Sequence, residues 1–197
     1  MSATNRGRTR AAHDEYATPP WPVHRLLEAV SLPSGRWLEP SAGRGAIIRA
    51  VRQVRNDVCW IACERQERHE GRLQALAPLV HDGDFLELSP GRFDVVIGNP
   101  PYDQALDFVT RALPLAPVVV FLLRLNWLAS AARNALMRSH APDVYVLPDR
   151  PSFRGGGSDS TEYAWFVWHG DARRAAGTVQ VLAMTPPAER LRARSAR

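Results

Sequence analysis

Four apolar stretches of this chain give out in residues that can do chemistry. The first, Arg36-Trp37-Leu38, runs into Glu39-Pro40-Ser41-Ala42-Gly43-Arg44-Gly45. Small residues there let the backbone approach a ligand closely and free the amides of a following helix to bind it. The spacing is G-x-G with no third glycine at the dinucleotide position, so a nicotinamide-dinucleotide site is not indicated. The second stretch ends at Glu64, where an acid can hold the two ribose hydroxyls of an adenosine moiety or stand as a solvated carboxylate. The third ends at Asp84-Phe85, where Asp84 can accept from an adenine amine or cap a helix, and Phe85 can pack on a ring. The fourth ends at Asn99-Pro100-Pro101-Tyr102, in which the prolines stiffen the turn that carries the asparagine and the ring.

Elements of matching type must position these ends. Strands are expected over 36–40, 58–63, 79–84, 93–98, 118–123 and 144–147, with helices over 46–54, 66–77, 103–112 and 126–139. Asp103 stands where it would cap the third helix. Strands alternating with helices predict an α/β fold, a Rossmann-like, doubly wound, mostly parallel sheet. Two late strands, 163–168 and 178–183, have no helix between them and predict an antiparallel edge. In such sheets a ligand lies beyond the carboxyl ends of the strands, where all four polar ends belong.

Asn99-Pro100-Pro101-Tyr102 behind an apolar strand resembles the catalytic motif of N6-adenine methyltransferases. Tyr16-Ala17-Thr18-Pro19-Pro20 resembles the upstream cofactor motif of that family, and Glu39 to Gly45 its first motif. Arg150 to Ser158, continuing to Tyr163-Ala164-Trp165-Phe166-Val167-Trp168, resembles the late segment of small phage-type DNA adenine methyltransferases. The resemblance spans about residues 14–170, in the motif order of the gamma-type enzymes. It implies a class I methyltransferase fold with S-adenosyl-L-methionine as cofactor and S-adenosyl-L-homocysteine as product. Cofactor contacts would fall to Tyr16, Thr18, Pro19, Glu39, Pro40, Ser41, Gly43, Gly45, Glu64, Asp84, Phe85 and Asn99. The catalytic set would be Asn99, Pro100, Pro101 and Tyr102, with Tyr102 and Phe153 on either face of a flipped base. In this scheme the Asn99 oxygen and the Pro100 carbonyl accept the adenine N–H bonds and aim the nitrogen lone pair at the sulfonium methyl. Stacking on Tyr102 contributes about 1–3 kcal/mol, comparable with the unstacking it offsets.

Charge supports a polyanionic partner. The net charge is +5, yet residues 13–187 carry 18 arginines against 19 acids. The excess lies in residues 1–12 and 188–197, at +3 each, which predicts two basic arms flanking one catalytic domain over 13–187. Basic arms suit nucleic acid because each neutralised phosphate releases counterions, although solubilising ends would read the same. All 25 basic residues are arginine. Cys59 and Cys63 lie in one apolar run, with no second Cys or His pair at ligand spacing, so buried free thiols are expected and no metal. The absence of a leader or a membrane-length apolar run predicts a cytoplasmic protein with no membrane partner.

Release-factor glutamine methyltransferases also carry Asn-Pro-Pro-Tyr, usually behind a helical domain. About 30 residues precede the first strand here. RNA is the other candidate polymer, and a silent binding subunit the non-enzymatic alternative. Gamma-type DNA enzymes often append a target-recognition domain, and only about 25 residues follow Trp168. Low or short sequence specificity, or a homo-oligomer, is therefore expected.

Overall fold

Valine, isoleucine, leucine and aromatic residues fill the central runs of the chain without polar interruption, the pattern of strands covered on both faces. In the computed structural model, which describes residues 17–89, 91–153, 160–170 and 172–190, these runs build one eight-stranded sheet. The order along the chain is α1 (Pro20–Ala29), β1 (Gly35–Glu39), α2 (Ala46–Arg52), β2 (Val58–Glu64), α3 (Glu70–Gln74) and β3 (Leu79–Asp82). There follow β4 (Val95–Gly98), α4 (Ala105–Ala112), β5 (Val118–Arg124), α5 (Asn134–Ser139), β6 (Asp143–Val146), β7 (Tyr163–Trp168) and β8 (Val179–Val181). The expected arm 1–12, residues 191–197 of the expected arm 188–197, Tyr16 and the run Arg154 to Asp159 lie outside the described residues. Residues 188–190, by contrast, are helical and join the domain, Glu189 accepting from Arg25 at 3.0 Å and Arg190 pairing with Asp149.

The spatial order is β3-β2-β1-β4-β5-β7-β6-β8. Strands β1 to β5 pair in parallel, as the alternation of elements predicts. Strand β7 runs antiparallel to both neighbours, β5 and β6. It therefore lies inside the sheet, while the edge falls to β8, parallel to β6. Burial explains the placement: all six residues of β7 are buried and need partners on both sides, whereas all three of β8 are exposed. Alternate side chains fill two cores. Trp37, Trp60, Ile97, Val120 and Trp165 face α1 and α2, and Leu38, Ile61, Val96, Phe121 and Phe166 face α4.

Helix α1 has no counterpart in the sequence expectations, where residues 16–20 read as a motif. Pro20 sits at its first position, where a missing N–H costs nothing, and Trp21, Val23 and Leu26 are buried. Trp165 Nε1 donates to Pro22 O at 2.8 Å, and His24 Nε2 contacts Ala50 O at 3.1 Å, binding α1 to β7 and α2. Other boundaries are shorter than expected. Only Glu70–Gln74 of the expected second helix is α, after a 3-10 turn at Glu67–His69. Gln104, not Asp103, precedes the first turn of α4, and its side chain makes no cap hydrogen bond. Residues 125–139 break into 3-10 turns at Leu125–Leu128 and Ala131–Arg133 before α5. There Ser130 Oγ accepts from Ala132 N at 3.2 Å, and Arg133 Nε donates to Trp127 O at 2.7 Å, both competing with helical bonding. Cys63 is buried, and burial pushes its thiol up to about 12, but Cys59 at the start of β2 is exposed. Among the described residues no helix is long and apolar enough to cross a membrane.

Asp143, at the head of β6, gathers the chain that follows β7. It accepts from His169 Nε2 and Thr178 N at 2.8 Å each, from Thr178 Oγ1 at 2.8 Å, and from Arg174 at 2.9 and 3.3 Å. Burial alone would raise its carboxyl, but these donors outweigh it and hold the group well below the usual carboxylate range. A depressed folded value stabilises the protein above the unfolded value of about 3.9 and is lost as pH falls through the folded one. Asp143→Asn should therefore cost about 2–3 kcal/mol at neutral pH. In urea denaturation its deficit against wild type should shrink as pH drops below about 4. A deficit that stays constant into acid would show that the charge of Asp143 contributes nothing.

Candidate functional site

The carboxyl ends of β1, β2 and β3 are laced together by the backbone. Ala42 N donates to Cys63 O at 3.0 Å, and Gly83 N to Glu64 O at 3.0 Å. After β1 the chain turns at Gly43 (φ 52°) and Gly45 (φ 73°), both left-handed, so that Gly45 N closes on Ala42 O at 2.7 Å and α2 begins. A Cβ on Gly45 would lie 2.6 Å from a Leu76 methyl. The turn therefore needs glycine at that point for both backbone and space.

Glu64, at the tip of β2, is buried, and its two oxygens accept Gly43 N at 2.7 Å and Gln66 N at 3.0 Å. It bridges the two loops rather than standing solvated. Glu39, at the tip of β1, is 2% exposed, and among the described residues its Oε2 has no hydrogen-bond partner. Burial raises its pKa well above the ordinary value, and nearby Glu64 adds to that against the pull of the Ile48 backbone and Arg49. A buried acid in this state gains from a cation. Asp84 lies one residue past Gly83, and its Oδ1 accepts Leu86 N at 2.9 Å, capping a short turn. Phe85 is buried against Phe108, with ring centres 5.2 Å apart, and Arg111 binds its carbonyl at 2.8 Å.

Asn99 follows β4. Gly98 before it packs closely on Pro40, where a Cβ would stand 3.2 Å from the proline ring and force a shift of a few tenths of an ångström between the ends of β1 and β4. Asn99 Nδ2 donates to Thr18 Oγ1 at 3.2 Å, and Thr18 is 5% exposed on the segment leading into α1. With the amide nitrogen so held, Asn99 Oδ1 is buried and has no hydrogen-bond partner among the described residues. Ser41 Oγ donates to Asn99 O at 3.4 Å. The ring of Tyr102 lies 5.8 Å from that of Tyr163, and the Arg124 guanidinium stands over it at 4.9 Å. Burial and Tyr163 push the Tyr102 hydroxyl far up, against the opposing pull of Arg124 and Asn99, so it stays protonated.

These ends open onto one cavity of about 410 Å³. Thr18, Glu39, Pro40, Ser41, Gly43, Glu64, Asp84, Phe85, Asn99, Pro100, Pro101 and Tyr102 all line it. Three of the residues singled out in the sequence do not. Pro19 precedes α1, Gly45 starts α2 beneath the loop, and Phe153 is buried in the core. The Phe153 ring meets Tyr163 edge-on at 5.1 Å, on a tyrosine that itself packs against Tyr102, so it is a backing residue. Tyr16 and the Gly155-Gly156-Gly157 run fall outside the described residues. Sequence reasoning did not single out Arg44, Gln66, Gln104 or Phe108, which also line the cavity. Two carried a signal, Arg44 inside the turn after β1 and Phe108 by its buried place on α4. Among the described residues no cluster of three His, Cys, Asp or Glu side chains could hold a metal.

The strand order defines a Rossmann-like fold, one shared with solved methyltransferase structures. No protein-family model matches the sequence, and no curated protein matches it closely enough to count as a relative. Solved structures do match in shape. A predicted O-methyltransferase from Agrobacterium tumefaciens is 17% identical with a TM-score of 0.62, over 84% of this chain and 86% of that one. A modification subunit of a putative type I restriction enzyme from Vibrio vulnificus YJ016 is 12% identical with a TM-score of 0.58, over 84% of this chain. This chain covers 45% of that subunit. The 23S rRNA methyltransferase ErmE is 18% identical with a TM-score of 0.55, over 88% of this chain and 73% of that one.

The scaffold makes a direct prediction. Gly45→Ala forces a left-handed alanine and a contact with Leu76, and should cost at least about 1–2 kcal/mol in urea denaturation. Unchanged stability would show that the loop relaxes freely.

Proposed function

We propose that this protein transfers a methyl group from S-adenosyl-L-methionine to the N6 amine of adenine in nucleic acid, with DNA as the polymer. The observation that carries this reading is the Asn99 amide at the cavity, its nitrogen held by Thr18 and its buried oxygen without a hydrogen-bond partner among the described residues. An exocyclic adenine amine is a poor nucleophile because its lone pair is delocalised. A fixed acceptor oxygen that takes one N–H, with the Pro100 carbonyl taking the other, pulls the nitrogen toward tetrahedral geometry. Tyr102 supplies the stacking face, and Phe153 supports that face through Tyr163.

The residues present fit the cofactor. Glu39, buried with an unpartnered oxygen, suits the ammonium of the methionine part. Glu64 suits the ribose hydroxyls, and Asp84 and Phe85 the adenine. Bound there, the cofactor would supply an electrophilic methyl on sulfonium. Asn99 and Pro100 do the aiming, and positioning is the main demand of an in-line transfer at about 3 Å. Asn-Pro-Pro-Tyr suits adenine and glutamine alike, and it is the segment Tyr16-Ala17-Thr18-Pro19 before α1 and the arginines of 1–12 and 191–197 that favour nucleic acid over a protein glutamine. An RNA adenine remains the second reading, favoured by the shape shared with an rRNA methyltransferase.

The test supplies labelled S-adenosyl-L-methionine with duplex DNA, single-stranded DNA, bulk RNA and release factor in parallel, followed by nucleoside digestion. Label should appear as N6-methyladenine from DNA and vanish in Asn99→Ala. Label in RNA or protein would replace the substrate, and transfer by Asn99→Ala would remove the mechanism. Thr18→Val should lower kcat by about tenfold to a hundredfold, the scale of a misplaced reacting group. Thr18→Ser should restore it. Equal loss in both variants would show that the Thr18 hydroxyl does not hold Asn99.

Glu39 adds a pH dependence. Its raised pKa means that the free site is partly protonated above the ordinary carboxylate range, and a bound ammonium favours the ionised form. Cofactor affinity should therefore rise with pH through that range, with proton release detected by calorimetry in buffers of different ionisation enthalpy. Glu39→Gln should bind more weakly and release no proton. Proton release that persists in Glu39→Gln would assign it to another group.

A further inference from the structure

A second cavity, of about 400 Å³, adjoins the first at Tyr102 and Arg124, the two residues common to both linings. The two differ in charge. Among its described lining residues the first has Glu39, Glu64, Asp84 and Asp103, against Arg44, Arg65 and Arg124. Among the described residues that line it, the second has Arg124 and Arg133 and no acid, with Asn126 and Ser130 as further polar groups. Arg133 makes its hydrogen bonds to the carbonyls of Asn126, Trp127 and Ala129, which fix its place beside the Trp127 ring, and none of these partners is a carboxylate. A cavity with a buried, unbonded acid oxygen beside one whose described charges are all basic suits a cationic cofactor and an anionic partner.

Arg124 stands at the wall between them. Its guanidinium lies over Tyr102 at 4.9 Å, while Tyr163 packs against the same ring at 5.8 Å. A base that stacks on the face the guanidinium covers must displace it. We propose that the second cavity holds the phosphodiester backbone next to the target base, and that Arg124 exchanges the Tyr102 ring for a phosphate oxygen as the base arrives. Arg133 supplies the fixed charge at the site, and Arg124 the movable one. The exchange couples strand binding to opening of the stacking face. The proposal rests on the reading of Tyr102 as the base platform, and it narrows the partner to a phosphodiester strand.

The test measures fluorescence anisotropy of labelled adenine-containing oligonucleotides, single-stranded and duplex, over a range of salt with the full chain. Asn126 is exposed, so Asn126→Glu adds a negative charge at the cavity mouth without removing a buried contact. It should weaken strand binding about tenfold or more while cofactor affinity by calorimetry stays within about twofold, against a slope that counts phosphate contacts. Arg124→Gln should lower the slope of log affinity against log salt by about one. Wild-type strand affinity and salt slope in both variants would overturn the proposal. Loss of cofactor binding in step with strand binding would also overturn it, because the charge would then act on the site as a whole. If wild type methylates adenine and both variants match it, the cavity assignment alone fails. If wild type binds the cofactor but no nucleic acid, the polymer reading fails with it.

Discussion

A strand buried on both faces has nowhere to put a polar group except its ends, and the rest of this structure follows from that constraint. Strands β1, β2, β4 and β5 are apolar along most of their length, and Glu39, Glu64, Asn99 and Arg124 appear at or just past their carboxyl ends. Because these strands run parallel, all four groups emerge at the same end of the sheet. The chain departs in opposite directions from β1, toward β2 and toward β4, and the loops that leave it open a crevice there. The cavity is therefore a consequence of strand direction, and its chemistry a consequence of which residues end the strands.

Electrostatics divides that crevice. Glu39 and Glu64 are both carboxylates with almost no exposure, and they differ in what holds them. Glu64 is satisfied by two backbone amides, so its burial is compensated. Glu39 keeps an oxygen without a hydrogen-bond partner among the described residues, and burial dominates its titration. A cavity walled by one compensated and one uncompensated acid is pre-arranged for a ligand that brings positive charge and hydroxyl donors. Beyond Tyr102 the sign reverses to Arg124 and Arg133.

Helix α1 supplies what the sheet cannot. An asparagine amide has two chemically different ends, and a strand tip alone does not decide which end faces the cavity. Thr18, carried in by a helix that is anchored through Trp165 and His24, takes the nitrogen end and so leaves the oxygen as the presented group. The orientation of one side chain thus depends on a contact between residues 81 positions apart.

Local pattern determined much of this protein. Runs of β-branched and aromatic residues bounded by turn residues gave the parallel strands and their order of use, because a strand's apolar faces are written in consecutive residues. The strand-end residues were legible for the same reason: an acid or an asparagine after an apolar run has only one place to go. Tertiary structure alone decided the rest. The inward position of β7 depended on its burial from both sides, and α1 was hidden in a proline-rich segment whose helical face shows only against α2 and β7. Phe153 lies behind Tyr163 rather than opposite Tyr102, and Thr18 meets Asn99, because long-range packing selects neighbours that no spacing along the chain encodes. The second, basic cavity exists only once the segment after β5 breaks into 3-10 turns, where side-chain bonds to the backbone outcompete the helix.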